Sequence, residues 1–122
     1  MKEQYVSFEV AKLLKERGFD EKTVYHYTNC DVLQHNIVYN EYKNSEMLNA
    51  YSAPTQQMAC KWLIETHNIH IEPHFLRASG DYVYDIIHSP LELDDIHSFP
   101  TVFNTKEDAV EAALQYCLTN LI

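Results

Sequence analysis

The fold is decided by residues 52–75, SAPTQQMACKWLIETHNIHIEPHF, because the spacing of apolar residues changes within this stretch from helical to alternating. One stripe of the predicted helix consists of Met58, Ala59, Trp62, Leu63 and Thr66. Lys61 and Glu65 lie on the opposite, water-facing side. Further on, Ile69, Ile71 and Phe75 alternate with polar residues, as in a strand with one buried face. The stretch therefore predicts a central helix that leads directly into a β-strand.

The ends of this predicted helix carry residues that suit a helix terminus. Pro54 fits the first turn, because its missing N–H would have no partner within the helix. Ser52 or Thr55 offers a side-chain oxygen to the free N–H groups of that turn. Asn68 tolerates the left-handed conformation of a C-terminal cap, so the chain can leave the helix and enter the strand.

Two more helices are predicted towards the ends of the sequence. Ser7 is a suitable N-cap for the first helix, Gly18 ends it, and Phe19 can fold back onto its last turn. Thr105 begins the other helix, and Asp108 follows it at the spacing of a capping box. The apolar face of this last helix consists of Ala109, Val110, Ala113, Leu114, Cys117, Leu118 and Leu121.

Strands are predicted between the helices. In chain order they cover residues 23–28, 37–42, 69–75, 82–88 and 101–103. A turn at residues 78–81 joins two of them into a hairpin, in which we expect Arg77 to pair with Tyr82. The acidic segment 91–99 is predicted to be irregular.

This order of elements defines the expected fold class. Because the connections are short and the hairpin is local, we expect the strands to be antiparallel rather than arranged in a doubly wound parallel sheet. The prediction is an α+β fold, with a small antiparallel sheet and about three helices packed mainly on one face. At 122 residues, residues 1–122 are expected to form a single domain.

Composition bears on the class of protein. The sequence lacks an apolar run of about 20 residues and a signal-peptide core, so we expect a cytoplasmic protein with no membrane partner. The net charge of −9, from 9 Lys and Arg and 18 Asp and Glu, argues against direct nucleic-acid binding. Cys30, Cys60 and Cys117 lack the spacing of a metal or redox site and are interpreted as small buried hydrophobic residues.

The sharpest candidates for chemistry are His70, Glu72 and His74. They alternate on the predicted strand and therefore point to one face, and imidazole and carboxylate groups together bind zinc or iron. In the expected hairpin, Asp85 lies opposite His74 as a further carboxylate. The alternative, which the apolar opposite face favours, is that these residues form the water-facing side of an amphipathic strand.

The sequence predicts no catalytic residue and no cofactor. It contains no nucleophile motif of the GxSxG kind, and two glycines in the whole chain leave no phosphate-binding loop. Tyr39, Tyr42 and Tyr51 are candidate interaction residues, because they lie in a segment of weak structural signal and aromatic residues are enriched where partners dock. Ordinary half-buried packing is the alternative for these tyrosines.

Three segments carry a resemblance to a known family. They are SFEVAKLLKERGF at residues 7–19, SAPTQQMACKWLIETHNIHI at 52–71 and EDAVEAALQYCLTNLI at 107–122. In this order they resemble a family of small uncharacterised proteins of Bacteroides-type gut bacteria and of their phages and mobile elements. The resemblance covers most of the chain, is weakest at residues 29–51 and rests mainly on residues 53–63. It implies a cytoplasmic or phage-borne setting and carries no activity, cofactor or catalytic residue.

Three hypotheses for function follow. The first is a non-enzymatic interaction protein, such as a phage or mobile-element accessory factor, that binds a protein partner or associates with itself. The second is a metal-binding module or metal-dependent enzyme that uses His70, Glu72 and His74. The third is an acidic inhibitor that mimics nucleic acid, which only the net charge of −9 suggests.

Overall fold

The computed structural model describes residues 4–28, 33–35, 41–88, 96–98 and 101–122. These residues form three α-helices and six β-strands. The chain divides into two compact units, Met1–Met58 and Ala59–Ile122, and each unit holds one antiparallel sheet. No helix in the described ranges is long and apolar enough to cross a membrane.

Helix α1, Phe8–Glu16, has the ends that the sequence predicts. The Ser7 Oγ accepts a hydrogen bond from the Val10 N–H at 3.2 Å, as an N-cap does. Gly18 has a φ of +92°, a conformation that a side chain would disfavour, and it ends the helix. The Phe19 N–H then donates to the Leu14 carbonyl at 2.9 Å, and the Phe19 ring is buried. The prediction for this helix is confirmed.

The first sheet has the order β2-β1-β3, from strands β1 (Tyr25–Tyr27), β2 (Gln34–His35) and β3 (Tyr51–Ser52). The strand predicted at residues 23–28 is thus present but shorter. Its last residue, Tyr27, is buried and donates from its hydroxyl to the Val6 carbonyl at 2.7 Å. Most of the strand predicted at residues 37–42 lies outside the described residues, and Tyr42 forms an isolated bridge with Thr23.

A short 3₁₀ helix, Asn44–Glu46, precedes β3 and is fixed by the side chain of Asn44. Asn44 is only 4% exposed. Its Nδ2 donates to the Phe19 carbonyl at 2.8 Å, and its Oδ1 accepts from the Ser52 N–H at 2.8 Å. One amide side chain therefore joins the end of α1 to β3.

Helix α2, Gln56–His67, is the predicted central helix. It begins after Thr55, whose Oγ1 accepts from the Met58 N–H at 3.1 Å, and it is followed by Asn68 in the left-handed conformation, with a φ of 55°. The predicted capping roles of Thr55 and Asn68 are confirmed, whereas the predicted place of Pro54 in the first turn is wrong because Pro54 precedes Thr55 and lies outside the helix. The predicted apolar stripe is too wide, because Ala59, Trp62 and Leu63 are buried whereas Met58 and Thr66 are exposed.

The second sheet has the order β4-β5-β6, from strands β4 (Ile69–Leu76), β5 (Asp81–His88) and β6 (Ile96–Ser98). The predicted hairpin between β4 and β5 is confirmed, but its predicted register is wrong. Leu76 pairs with Asp81, so Asp85 lies opposite Glu72 and not opposite His74. The reason is the turn, which occupies residues 77–80 and ends at Gly80 with a φ of +75°.

Two segments pair with β5 on the side away from β4. Strand β6 lies within the acidic segment that we predicted to be irregular, and this prediction is wrong because Ile86 and Ile87 pair with it. Phe103, in the short strand predicted at residues 101–103, forms an isolated bridge in which its N–H and that of Tyr82 each donate to the other's carbonyl at 2.8 Å.

Strand β4 is an edge strand of this sheet, and Pro73 lies in its middle. The N–H of Tyr82 donates to the Phe103 carbonyl, on the side of β5 away from β4. Because alternate residues of a strand point their N–H groups to the same side, the N–H of Tyr84 also points away from β4. Pro73 is the partner of Tyr84, so its nitrogen faces outward from the sheet. The missing N–H of proline therefore costs the β4–β5 ladder no hydrogen bond.

Helix α3, Lys106–Asn120, packs against β4 and β5. The Thr105 Oγ1 accepts from the Asp108 N–H at 3.1 Å, which confirms the predicted N-cap. Its predicted apolar face is buried at Ala109, Val110, Ala113, Leu114, Cys117 and Leu118. The facing residues of the sheet, Ile69, Tyr84 and Ile86, are buried as well. The α+β class with antiparallel strands and three α-helices is confirmed, and the strands fall into two sheets where the sequence suggested one.

Candidate binding groove

The structure places His70, Glu72 and His74 on one face of β4. On the other face Ile69 is buried and Ile71 is half-buried, but the predicted burial of Phe75 is wrong, since Phe75 is 55% exposed. His74 contacts Asp85, with 2.8 Å between His74 Nε2 and Asp85 Oδ2, and both side chains are partly exposed. Glu72 is exposed and lies directly across from Asp85. The structure therefore gathers Glu72, His74 and Asp85 at one place on this face.

His70 does not join them. It lies four residues from His74 on an extended strand, a separation of about 13 Å, whereas a histidine nitrogen binds zinc at about 2.0–2.1 Å. Among the described residues, no group of three or more His, Cys, Asp and Glu side chains is arranged to hold a metal ion. The proposed metal site at His70, Glu72 and His74 stays a prediction.

The candidate interaction tyrosines do not form one described surface. Tyr39 lies outside the described residues, and Tyr42 and Tyr51 are half-buried. The Tyr51 ring packs edge-on against Phe8, with 5.8 Å between the ring centroids, and the Lys15 ammonium lies 5.4 Å from the centroid of the Tyr51 ring. Tyr51 is thus engaged in packing within the first unit, and a role of these tyrosines in binding a partner stays a prediction.

Burial also governs the chemistry of the two cysteines that the structure describes. Burial raises the pKa of Cys60 to about 11 and that of Cys117 to about 12, so both thiols stay protonated at neutral pH. Both are free cysteines. Cys30 lies outside the described residues.

A groove of about 240 Å³ opens in the first unit. Ten residues line this Tyr5–Tyr25 groove, and they are Tyr5, Lys22, Thr23, Val24, Tyr25, Glu41, Ala53, Pro54, Thr55 and Met58. They come from the N-terminal segment, from the residues around β1, from Glu41 and from the segment that joins β3 to α2. No single motif of the sequence predicts this groove.

The wall and the floor of the groove are held by backbone hydrogen bonds. The N-terminal segment runs beside the start of α2, with an isolated bridge between Tyr5 and Thr55. The Val6 N–H donates to the Pro54 carbonyl at 3.0 Å, and the Gln56 N–H donates to the Gln4 carbonyl at 2.8 Å. These bonds bring Tyr5 against Tyr25, with 4.8 Å between the ring centroids.

The lining of the groove mixes apolar and polar groups. Ala53 and Pro54 are buried, and Met58 is 38% exposed. Lys22 and Glu41, both exposed, add one charge of each sign. Such a mixed surface suits a side chain that is flanked by polar groups.

The hydroxyl groups of the two threonines that line the groove are engaged with the backbone. The ten lining residues include neither histidine nor cysteine. The Thr23 hydroxyl donates to the Tyr25 carbonyl at 3.1 Å, and the Thr55 hydroxyl accepts from the Met58 N–H, so both hydroxyls serve the backbone.

Comparison of the chain with models of protein families, with curated proteins and with solved structures gives no match.

Proposed function

We propose that this chain is a non-enzymatic protein-interaction protein, and that the Tyr5–Tyr25 groove binds an apolar side chain of its partner. The observation that carries the proposal is the groove itself, which combines two packed tyrosine rings, an exposed methionine and the buried residues Ala53 and Pro54. Aromatic residues and methionine are enriched where proteins bind one another.

The size of the groove supports this kind of ligand. At about 240 Å³ it is smaller than the roughly 300–1,000 Å³ of pockets that enclose a drug-sized molecule. One large side chain, with the backbone of an extended segment lying across the rim, is in better proportion to this volume. The charges at Lys22 and Glu41 can then pair with polar groups on either side of the inserted residue.

The setting of the protein is part of the proposal. Ala53, Pro54, Thr55 and Met58 line the groove and also lie in the segment, residues 53–63, on which the resemblance to the Bacteroides and phage family rests. Four of the ten lining residues thus lie in the part of the chain on which that resemblance rests. We propose an accessory role in a cytoplasmic or phage-borne setting.

A pair of matched variants on α2 tests the binding role of the groove. Met58 and Ile64 are equally exposed, at 38% each, but only Met58 lines the groove. Peptides selected for binding from a random displayed library are titrated against the wild type, Met58→Glu and Ile64→Glu. We expect Met58→Glu to weaken binding at least tenfold, since it places a charge in the apolar site, and Ile64→Glu to bind as the wild type does.

The NMR signals of the backbone amides provide a second measurement in the same titration, and those of Tyr25, Ala53 and Met58 are informative because these residues line the groove. In NMR spectra of the wild type they should shift on addition of a selected peptide. An equal loss of binding in both variants, or shifts confined to residues outside the groove, would contradict the proposal.

A further inference from the structure

Two charged side chains of opposite sign line the Tyr5–Tyr25 groove. Lys22 and Glu41 are the charged members of the ten lining residues, and both are exposed. The charged residues nearest to them in the sequence, Glu21 and Lys43, do not line the groove. The lining therefore presents one positive and one negative charge to a ligand.

Backbone pairing places these two residues on neighbouring segments. Thr23 and Tyr42 form an antiparallel bridge in which each N–H donates to the other's carbonyl, at 2.9 and 3.0 Å. Lys22 precedes Thr23 and Glu41 precedes Tyr42, so the two charged residues are diagonal neighbours across this bridge. Diagonal neighbours of an antiparallel pair lie on one face, roughly 7–8 Å apart.

Neither charge is used within the chain. In the part of the chain that the structure describes, Lys22 and Glu41 take part in no ion pair. A charged group that is already paired must give up its partner before it binds another, and these two do not. Both charges are therefore available to a ligand.

Two nearby charges of opposite sign select among ligands. A ligand of a single sign is attracted by one of them and repelled by the other, so the two effects offset each other. A ligand that carries one charge of each sign gains from both, because each of its charges can face the opposite one. Residues two positions apart in an extended segment are separated by roughly 7 Å, which matches the spacing of Lys22 and Glu41.

We propose that the segment bound in the Tyr5–Tyr25 groove carries one acidic and one basic residue two positions apart, close to the inserted apolar side chain. The acidic residue pairs with Lys22 and the basic residue pairs with Glu41. This inference rests on the proposed function, since it assumes that the groove binds a segment of a protein partner. It adds the chemistry by which that partner is recognised.

Peptides selected from the displayed library give the first test. The peptides that bind the wild type should be enriched in one acidic and one basic residue two positions apart. Replacement of both charged residues of such a peptide by glutamine should weaken its binding roughly 3- to 20-fold, as expected for the loss of two exposed ion pairs. This difference should shrink as salt is added, because salt screens exposed charges.

An exchange of the two charges on the protein gives the decisive test. Lys22→Glu combined with Glu41→Lys keeps the net charge at −9. This exchanged variant should bind the selected peptide more weakly than the wild type does. It should prefer a second peptide in which the acidic and the basic residue have changed places. A variant that had merely lost its fold would show no such reversal.

Lys61 and Glu65 supply a matched control. They form an exposed ion pair on α2, with 3.8 Å between Lys61 Nζ and Glu65 Oε1, and they do not line the groove. Lys61→Glu combined with Glu65→Lys makes the same two substitutions and also keeps the net charge. This control variant should bind both peptides as the wild type does.

The outcomes separate this inference from the proposed function. Selected peptides without such a charge pair, wild-type binding that glutamine leaves unchanged, or equal affinity of the exchanged variant for both peptides overturns the inference. If Met58→Glu weakens binding in that case, the groove binds its partner without recognising these charges, and only the inference fails. If no peptide is selected, or if Met58→Glu binds as the wild type does, the proposed function fails as well.

Discussion

Asn44→Ala removes the side chain that joins the end of α1 to β3. The asparagine is almost completely buried and makes two hydrogen bonds of 2.8 Å, from its Nδ2 to the Phe19 carbonyl and from the Ser52 N–H to its Oδ1. Alanine removes the hydrogen-bond partner that the side chain of Asn44 provides to the buried Phe19 carbonyl and Ser52 N–H. The variant therefore tests whether this one amide stabilises the first unit.

The size of the effect follows from the two backbone groups. A buried hydrogen-bonding group that loses its partner costs about 1–3 kcal/mol, so the loss of two partners in Asn44→Ala should lower the free energy of unfolding by about 2–6 kcal/mol. This is a large part of the roughly 5–15 kcal/mol that stabilises a typical domain. For a chain of this length, the melting temperature should fall by roughly 10 °C.

Urea unfolding of the wild type and Asn44→Ala measures the change, with Asn49→Ala as the control because Asn49 is exposed. Hydrogen exchange provides a local reading. The Ser52 N–H should exchange faster in Asn44→Ala by more than the change in global stability predicts, because it loses its acceptor. A decrease below about 0.5 kcal/mol, or one equal to that of Asn49→Ala, would refute the reasoning.

Three further predictions follow from single side chains. Hydrogen bonds from Ser45 lower the pKa of Asp20 below its ordinary 3.8. The ionised Asp20 carboxylate therefore contributes fully to stability above pH 3.8, and this contribution is lost as the pH falls through the pKa of Asp20 in the folded protein. The stability of Asp20→Asn should therefore fall less below about pH 4 than that of the wild type, as urea unfolding at each pH measures. Alkylation at about pH 8, located by mass spectrometry, should leave Cys60 and Cys117 unmodified until denaturant is added, because burial raises the pKa of each thiol. Thr105→Ala should lower the free energy of unfolding by about 1 kcal/mol, since it removes the N-cap of α3, and chemical unfolding measures this loss.

Local signals in the sequence were enough to place the helices. Ser7 and Thr105 cap α1 and α3 as predicted, because capping depends on residues that are close in the sequence. Asn68 ends α2 in the left-handed conformation for the same reason. The antiparallel hairpin was predicted from its turn and from the alternation of its strands.

The exact end of one turn and the features that depend on distant residues were not predicted. The register of the hairpin was wrong because the sequence does not show that Gly80 is the last residue of the turn, and this moves Asp85 from His74 to Glu72. Tyr5 and Tyr25 meet only because backbone bonds bring the N-terminal segment beside α2.

Pro73 bears on the tendency of this chain to aggregate. An edge strand of eight residues such as β4 is a template on which another strand can grow, and such growth leads to fibrous aggregates. The outward-facing nitrogen of Pro73 has no hydrogen to donate, so an added strand would lose a hydrogen bond at the middle of this edge. Pro73 thereby discourages the pairing of a further strand at this edge of the sheet.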